Sequence, residues 1–86
     1  MLSGDFADFF GRVVRKHRKA RFLTQEQLAE RADLAPKMIS LIERLQMNPS
    51  INVADSIAKA LNVPLWRLIK DVETLRMETQ AAKETK

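Results

Sequence analysis

The chain has no cysteine, no tyrosine and a single histidine, and these absences exclude several kinds of site. Without cysteine it can form neither a disulfide framework nor a thiolate metal site, and His17 alone cannot assemble an imidazole cluster. Catalysis would need a nucleophile with a base, a metal cluster or paired carboxylates in a pocket, and the sequence has no glycine-rich phosphate loop either. We therefore expect a protein that is not an enzyme and that uses no cofactor and no metal.

Long hydrophobic runs are also absent. No apolar stretch approaches the roughly 18 residues that span a bilayer. The opening segment MLSGDFADFF is acidic where a signal peptide would be basic. The sequence therefore predicts a cytoplasmic protein without a membrane partner. Its 86 residues are enough for one compact domain.

Glycine and proline are scarce, with two and three residues, whereas helix-forming residues such as Ala, Leu, Glu, Lys and Arg are abundant. This composition predicts an all-α fold. The net charge of +4 suits a polyanionic partner, although many basic proteins bind no nucleic acid. A run of basic residues lies between residues 12 and 21, and this stretch contains no acidic residue. The run is also compatible with a solvated helix face that binds nothing. Its members are Arg12, Arg15, Lys16, Arg18, Lys19 and Arg21.

Apolar spacing and capping signals predict five helices. The first covers residues 5–20, and a capping box of Thr24 and Gln27 starts the second at 25–32. Pro36 opens a third helix at 36–44, Ser50 caps a fourth, and Pro64 opens a fifth. The apolar stripe of the fifth helix runs past the end of a minimal domain and consists of Leu65, Leu68, Ile69, Val72 and Leu75. We expect the helix to fray after Leu75.

The order of these parts resembles the helix-turn-helix family of phage repressors and Cro proteins, the xenobiotic-response-element type. The match is carried by Gly11, Arg18, LTQEQLAERA at 23–32, ISLIER at 39–44, and NPS followed by IAKALNV within 48–63. It covers about residues 10–70 and implies a five-helix bundle of the lambda-repressor-like DNA-binding type with an extended C-terminal helix. The expected organisation is a flexible arm at 1–4, a DNA-binding domain at 5–70, and a helical extension with a frayed tail at 71–86.

The resemblance also implies the contacts that such a domain makes with DNA. The third helix is expected in the major groove, with bases read by Pro36, Lys37, Ser40 and Leu41. Phosphate contacts are expected from five residues: Arg18, Thr24, Gln25, Met38 and Arg44. Arg18 is also expected to form a structural ion pair with Glu43.

Four positions depart from the family pattern. Phe22 and Leu45 stand at helix ends where glycine is common. Each residue therefore either adopts a left-handed conformation, at a cost of about 1 kcal/mol, or the chain follows a different path after the helix. Ala35 replaces the usual Ser or Thr and removes a helix cap. His17 stands where an apolar inward residue is usual, and we expect a core or boundary residue with a partly satisfied ring.

The resulting hypothesis is a sequence-specific regulator of transcription, a repressor or autoregulator, that binds an inverted-repeat operator in double-stranded DNA as a homodimer. The predicted dimer surface lies on the fifth helix and consists of Trp66, Ile69, Val72 and Leu75. Core packing against the first and fourth helices is the alternative for this surface, and it is favoured for Ile69. Met38 and Leu41 make the outer face of the third helix apolar. A protein that covers this face, such as a toxin bound by an antitoxin, is therefore the alternative function.

Overall fold

This computed structural model describes residues 6–84, which contain five α-helices and no strand. The helices are α1 (Phe6–Ala20), α2 (Gln25–Ala32), α3 (Pro36–Glu43), α4 (Ile51–Ala60) and α5 (Leu65–Glu84). The predicted all-α, five-helix fold is therefore confirmed. The arm predicted at 1–4 lies outside the described residues, as do residues 85 and 86 of the predicted tail.

The helix starts follow from local capping. Thr24 Oγ1 accepts a hydrogen bond from the Gln27 N–H at 3.0 Å, and Gln27 Oε1 accepts one from the Thr24 N–H at 2.9 Å, so the predicted capping box is present. Ser50 Oγ caps α4 through the Val53 N–H at 3.1 Å. Ala35 gives α3 no side-chain cap, and α3 therefore begins without a contribution typically worth about 1 kcal/mol.

Four non-glycine residues at helix ends have positive φ: Phe22 at 56°, Asp33 at 58°, Leu45 at 62° and Asn62 at 60°. Phe22 and Leu45 therefore adopt the left-handed conformation at the positions where the family often has glycine. An L-residue in that conformation costs about 1–2 kcal/mol. The Phe22 side chain is 92% exposed, so little burial offsets its strain, whereas Leu45 Cδ2 lies beside Gly11.

The core lies where inward residues of all five helices meet. Helix α1 packs against α3 and α5, while α2 packs against α3 and α4. The largest fully buried side chains come from every helix and from the end of α4: Phe10, Val14, Leu28, Ile39, Ile42, Ile57, Leu61, Leu68 and Val72. This arrangement fixes the ends of α2 and α3 that carry the predicted DNA contacts.

The inward stripe of α5 differs from the predicted one. Val72 is fully buried in its own chain, so its assignment to the dimer surface is wrong. Leu65, Leu68, Val72 and Leu75 follow one another at spacings of three and four residues, which places them on one helix face toward the core. Ile69 follows Leu68 directly and is therefore turned outward, where it is 40% exposed. Leu75 is half-buried against the core.

Helix α5 also continues to Glu84, past Leu75, where we expected it to fray. No helix within residues 6–84 combines the length and the apolar character needed to cross a bilayer.

Candidate nucleic-acid interface

The starts of α2 and α3 meet at a concave surface of about 610 Å³. Its lining consists of Arg18, Thr24, Gln25, Glu26, Pro36, Lys37 and Ser40. Six of these seven residues are predicted DNA contacts, and Glu26 adds one carboxylate to an otherwise neutral and basic lining. The structure thus brings the start of the predicted reading helix next to the predicted phosphate anchors.

Helix α3 presents its first turn to the outside. Pro36 and Lys37 are exposed, and Ser40 and Leu41 are half-buried one turn later. Met38 differs from the prediction, because its side chain packs against the hydrophobic core and its N–H donates to the Ala35 carbonyl at 2.9 Å. Met38 is therefore a core-facing residue and has no donor to offer a phosphate.

Arg18 and Glu43 form a buried, bidentate ion pair between α1 and α3. Arg18 Nε donates to Glu43 Oε2 at 2.7 Å, and Arg18 Nη2 donates to Glu43 Oε1 at 2.9 Å. A third nitrogen, Nη1, donates to the Leu23 carbonyl at 2.8 Å. The hydrogen bond with Glu43 raises the pKa of Arg18 above its ordinary value, although burial acts in the opposite direction.

This geometry argues against the predicted phosphate contact by Arg18. The residue is buried, and all three guanidinium nitrogens already donate inside the protein. Breaking these bonds to reach a phosphate would leave the Glu43 carboxylate buried without its charge partner, which is strongly unfavourable. Arg18 therefore forms the predicted structural ion pair. A phosphate contact would have only the second hydrogens of Nη1 and Nη2 to use, and it stays a prediction.

Gln25 joins this ion pair to the outer surface. Its Nε2 donates to Glu43 Oε1 at 3.0 Å, so a single carboxylate oxygen accepts from both Arg18 and Gln25. An amide nitrogen carries two hydrogens, and the second remains to donate outward. Sequence reasoning missed this link because no spacing rule relates residues that lie on different helices and 18 positions apart.

Thr24 lines this surface, whereas Arg44 is outside its lining at the end of α3, and both residues are exposed. Thr24 Oγ1 accepts from the Gln27 amide as a cap, and its hydroxyl hydrogen can donate to an anion. The first amides of α2 precede the first intrahelical bond, and such amides favour phosphate. Arg44 follows the last residue of α3 and can approach a backbone from the opposite end.

His17 lies at the boundary between α1 and α5. Its Nε2 is 2.7 Å from Asp71 Oδ2, and its Nδ1 is 3.2 Å from Arg21 Nη1. The residue is partly buried, and both ring nitrogens have partners, which agrees with the expected boundary role. Among residues 6–84 there is no group of three or more side chains suited to hold a metal ion.

Known proteins with sequences similar to this chain include a phage repressor and a control protein. The immunity repressor protein of Bacillus phage phi105 is 38% identical over 76 residues, which are 88% of this chain and 52% of the repressor. The chain thus spans about half the length of that repressor. The control protein C.SmaI of Serratia marcescens is 34% identical over 65 residues, 76% of this chain and 77% of C.SmaI.

The fold of this chain is also similar to that of a controller protein of solved structure. The restriction-modification controller protein C.Esp1396I, a tetramer in complex with its natural 35 base-pair operator, superimposes with a TM-score of 0.70 at 32% identity. The match covers 78% of this chain and 93% of the controller chain. In addition, the sequence profile of the family described as Helix-turn-helix (HTH_3) matches residues 14–65, which include α2, α3 and α4. The chain therefore belongs to the helix-turn-helix family.

Proposed function

We propose that this protein is a sequence-specific regulator of transcription, a repressor or autoregulator, which places α3 in the major groove of double-stranded DNA. The observation that carries the proposal is the concave surface at which Lys37 and Ser40 of α3 lie beside Thr24 and Gln25 of α2. Its relatives are a repressor and controller proteins, and C.Esp1396I binds an operator. We propose no catalytic role, and we place the protein in the cytoplasm of a prokaryotic cell.

The outer side of α3 offers few groups for reading bases. Lys37 can donate to a guanine edge, and a Leu41 methyl group can pack on the C5-methyl of thymine. Bidentate amide or guanidinium contacts contribute about 1–3 kcal/mol of discrimination each, and none of Pro36, Lys37, Ser40 and Leu41 has such a side chain. Phosphate contacts and DNA shape therefore supply a larger share of the site preference than is usual.

Two substitutions, one in the first turn of α3 and one directly after its last residue, separate base reading from phosphate binding. Lys37→Ala is expected to lower operator affinity and to relax the preference at one base pair. Arg44→Ala should weaken all sequences nearly evenly and reduce the slope of log affinity against log salt by about 0.9. Fluorescence anisotropy with operators selected from random duplexes, measured at several salt concentrations, gives both quantities.

The matched control is Lys59→Ala, which removes one exposed positive charge from α4 and should leave binding within about twofold of the unsubstituted protein. If the Lys37 and Arg44 variants both bind as well as the parent, α3 is not the reading element. The alternative of a mainly protein-binding module, for example an antitoxin, predicts little affinity for duplex DNA at low or high salt. The alternative rests on an apolar outer face of α3 formed by Met38 and Leu41. Met38 packs against the core, so only Leu41 remains on that face and the alternative is weakened.

We further propose that the protein forms a homodimer through the outer face of α5. Trp66, Ile69 and Met77 are 61%, 40% and 68% exposed, and their separations of three and eight residues place them on one helix face. This face keeps Trp66 and Ile69 of the predicted dimer surface and has Met77 in place of Val72 and Leu75, which pack into or against the core. A two-fold axis through it would present two α3 helices to half-sites about 10 base pairs apart or slightly more.

Ile69→Lys is expected to weaken the dimer by about 30-fold or more, because a charge would enter the centre of the apolar face. Sedimentation equilibrium over a range of protein concentrations measures this directly. Ile51→Lys is the control, since Ile51 is also an exposed apolar residue but lies at the start of α4. An Ile69→Lys protein that dimerises as tightly as the parent would remove this face of α5 from the interface.

A further inference from the structure

A second concave surface lies between α1 and α5, and DNA reading makes no use of it. This groove has a volume of about 590 Å³. Its cations are Arg12 and Lys16 from α1, Arg21 directly after α1, and Arg67 from α5. Val13 and Leu75 contribute apolar lining. The groove therefore contains much of the basic run that the sequence shows between residues 12 and 21.

The charge of the groove is predominantly positive. Its lining has four basic side chains against the two carboxylates of Asp71 and Glu78. Asp71 is already paired, with His17 Nε2 at 2.7 Å and with Arg67 Nε at 3.6 Å. By contrast, Arg12 and Lys16 are exposed, and neither forms a salt bridge to another residue of the described range 6–84. Three cations of the groove thus have no carboxylate partner within residues 6–84: Lys16, Arg12, whose Cζ lies 5.6 Å from the centre of the Phe9 ring, and Arg21, which donates to the His17 carbonyl.

The spacing of these cations suits an elongated partner. Arg12 and Lys16 are separated by about 6 Å along the axis of α1, and Arg21 follows directly after the end of the helix. One small anion could contact only one end of such a row. A chain with acidic side chains at intervals matches the row, and its apolar side chains can contact Val13 and Leu75.

The groove also lies away from the proposed DNA surface. Gly11 and Arg18 of α1 contact α3, and they share a helix face because they are seven positions apart. The groove residues Val13 and His17 are turned about 130° from that face at 3.6 residues per turn. An occupant of the groove and a DNA duplex can therefore be bound at the same time.

The proposed dimer face does not overlap the groove either. On α5 the groove is lined by Arg67, Asp71, Thr74, Leu75 and Glu78, which lie within an arc of about 100° around the helix axis. The exposed apolar face of Trp66, Ile69 and Met77 is centred about 140° from the centre of this arc. From these observations we propose that the groove binds an acidic, partly apolar peptide segment of a partner protein.

The test uses a fluorescein-labelled amphipathic peptide that carries glutamate on one helix face and leucine on the other, with anisotropy as the readout. The Arg12→Glu/Lys16→Glu protein should bind this peptide at least about tenfold more weakly than the parent. The matched control is Arg15→Glu/Lys19→Glu, which changes the charge by the same amount at exposed positions of α1 that do not line the groove. It should bind within about twofold of the parent.

A second variant does not depend on removing any contact of α1. Thr74→Glu introduces a negative charge at an exposed position that lines the groove from α5, and it should also weaken peptide binding. Thermal unfolding of each variant establishes that the fold is retained. A version of the peptide with lysine in place of glutamate should not bind.

Four results would overturn the proposal. The first is that the parent protein does not bind the glutamate peptide. The second is that the two charge-reversed double variants lose binding equally, which would indicate that long-range charge alone attracts the peptide. Inorganic pyrophosphate would displace the peptide at low concentration, which would indicate a site for a small anion. Saturating duplex DNA would displace the peptide, which would place the peptide on the DNA surface.

Discussion

Replacing Gly11 by alanine will destabilise the protein by about 3 kcal/mol, because overpacking against a fixed backbone has costs of this order. Gly11 lies where α1 crosses α3. A β-carbon there would overlap the Ile42 carbonyl oxygen and would lie 2.8 Å from Leu45 Cδ2. The Leu45 side chain can rotate away, but the Ile42 carbonyl belongs to the backbone of α3, so the two helices must separate.

Helix propensity predicts the opposite sign for this substitution. Glycine inside a helix is less favourable than alanine by about 1 kcal/mol. Urea unfolding of the Gly11→Ala protein decides between the two effects. The propensity contribution can be measured separately as the difference between Arg15→Ala and Arg15→Gly, since residue 15 is an exposed position of the same helix. A Gly11→Ala protein that is more stable than the parent would show that α1 and α3 can move apart without loss.

The same substitution should also reduce DNA affinity. The contact at Gly11 and the Arg18–Glu43 pair both hold α1 against α3. A shift of α3 relative to α2 would alter the distance between Lys37 and the Gln25 amide, which line one surface. Binding contacts are sensitive to such shifts because they require a fixed geometry.

Most of the secondary structure could be predicted because its signals are local. The capping box of Thr24 and Gln27 and the cap at Ser50 act within a single turn of helix. Pro36 fits the first turn of a helix for a reason that lies in its own ring. Such signals require no knowledge of what the helix packs against.

The orientation of α5 could not be predicted in the same way. Leu68 and Ile69 are adjacent and both apolar, so two overlapping stripes are compatible with the sequence. The choice depends on packing against α1 and α4, which buries Leu68 and Val72 and leaves Ile69 exposed. Phe22 poses a similar problem, because both a strained helix end and a different exit were possible.

The candidate site was predictable in its outline but not in its connections. The positions of Lys37 and Thr24 follow from the helix ends, and the Arg18–Glu43 pair follows from the resemblance. That Gln25 shares the Glu43 carboxylate with Arg18 depends on the packing of three helices. This shared carboxylate makes the stability of the bundle and the geometry of the DNA surface depend on the same residue.

Replacing Glu43 by alanine will therefore reduce both stability and DNA affinity. The Arg18 guanidinium would stay buried without its carboxylate, and the loss of one partner of such a pair costs about 3–5 kcal/mol. Gln25 would lose the acceptor that fixes its amide. Urea unfolding and anisotropy with operator DNA measure the two losses.

The double variant Arg18→Met/Glu43→Leu separates the two roles of Glu43. Apolar residues of similar volume can replace a buried ion pair with little loss of stability, so most of the lost folding free energy should return. DNA affinity should remain about tenfold low, which corresponds to one hydrogen bond, because Gln25 still has no anchor. Adding Gln25→Ala to this background should then have little further effect, whereas in the parent it should weaken binding about tenfold. If Gln25→Ala weakens binding equally in both backgrounds, Glu43 does not position the Gln25 amide for DNA.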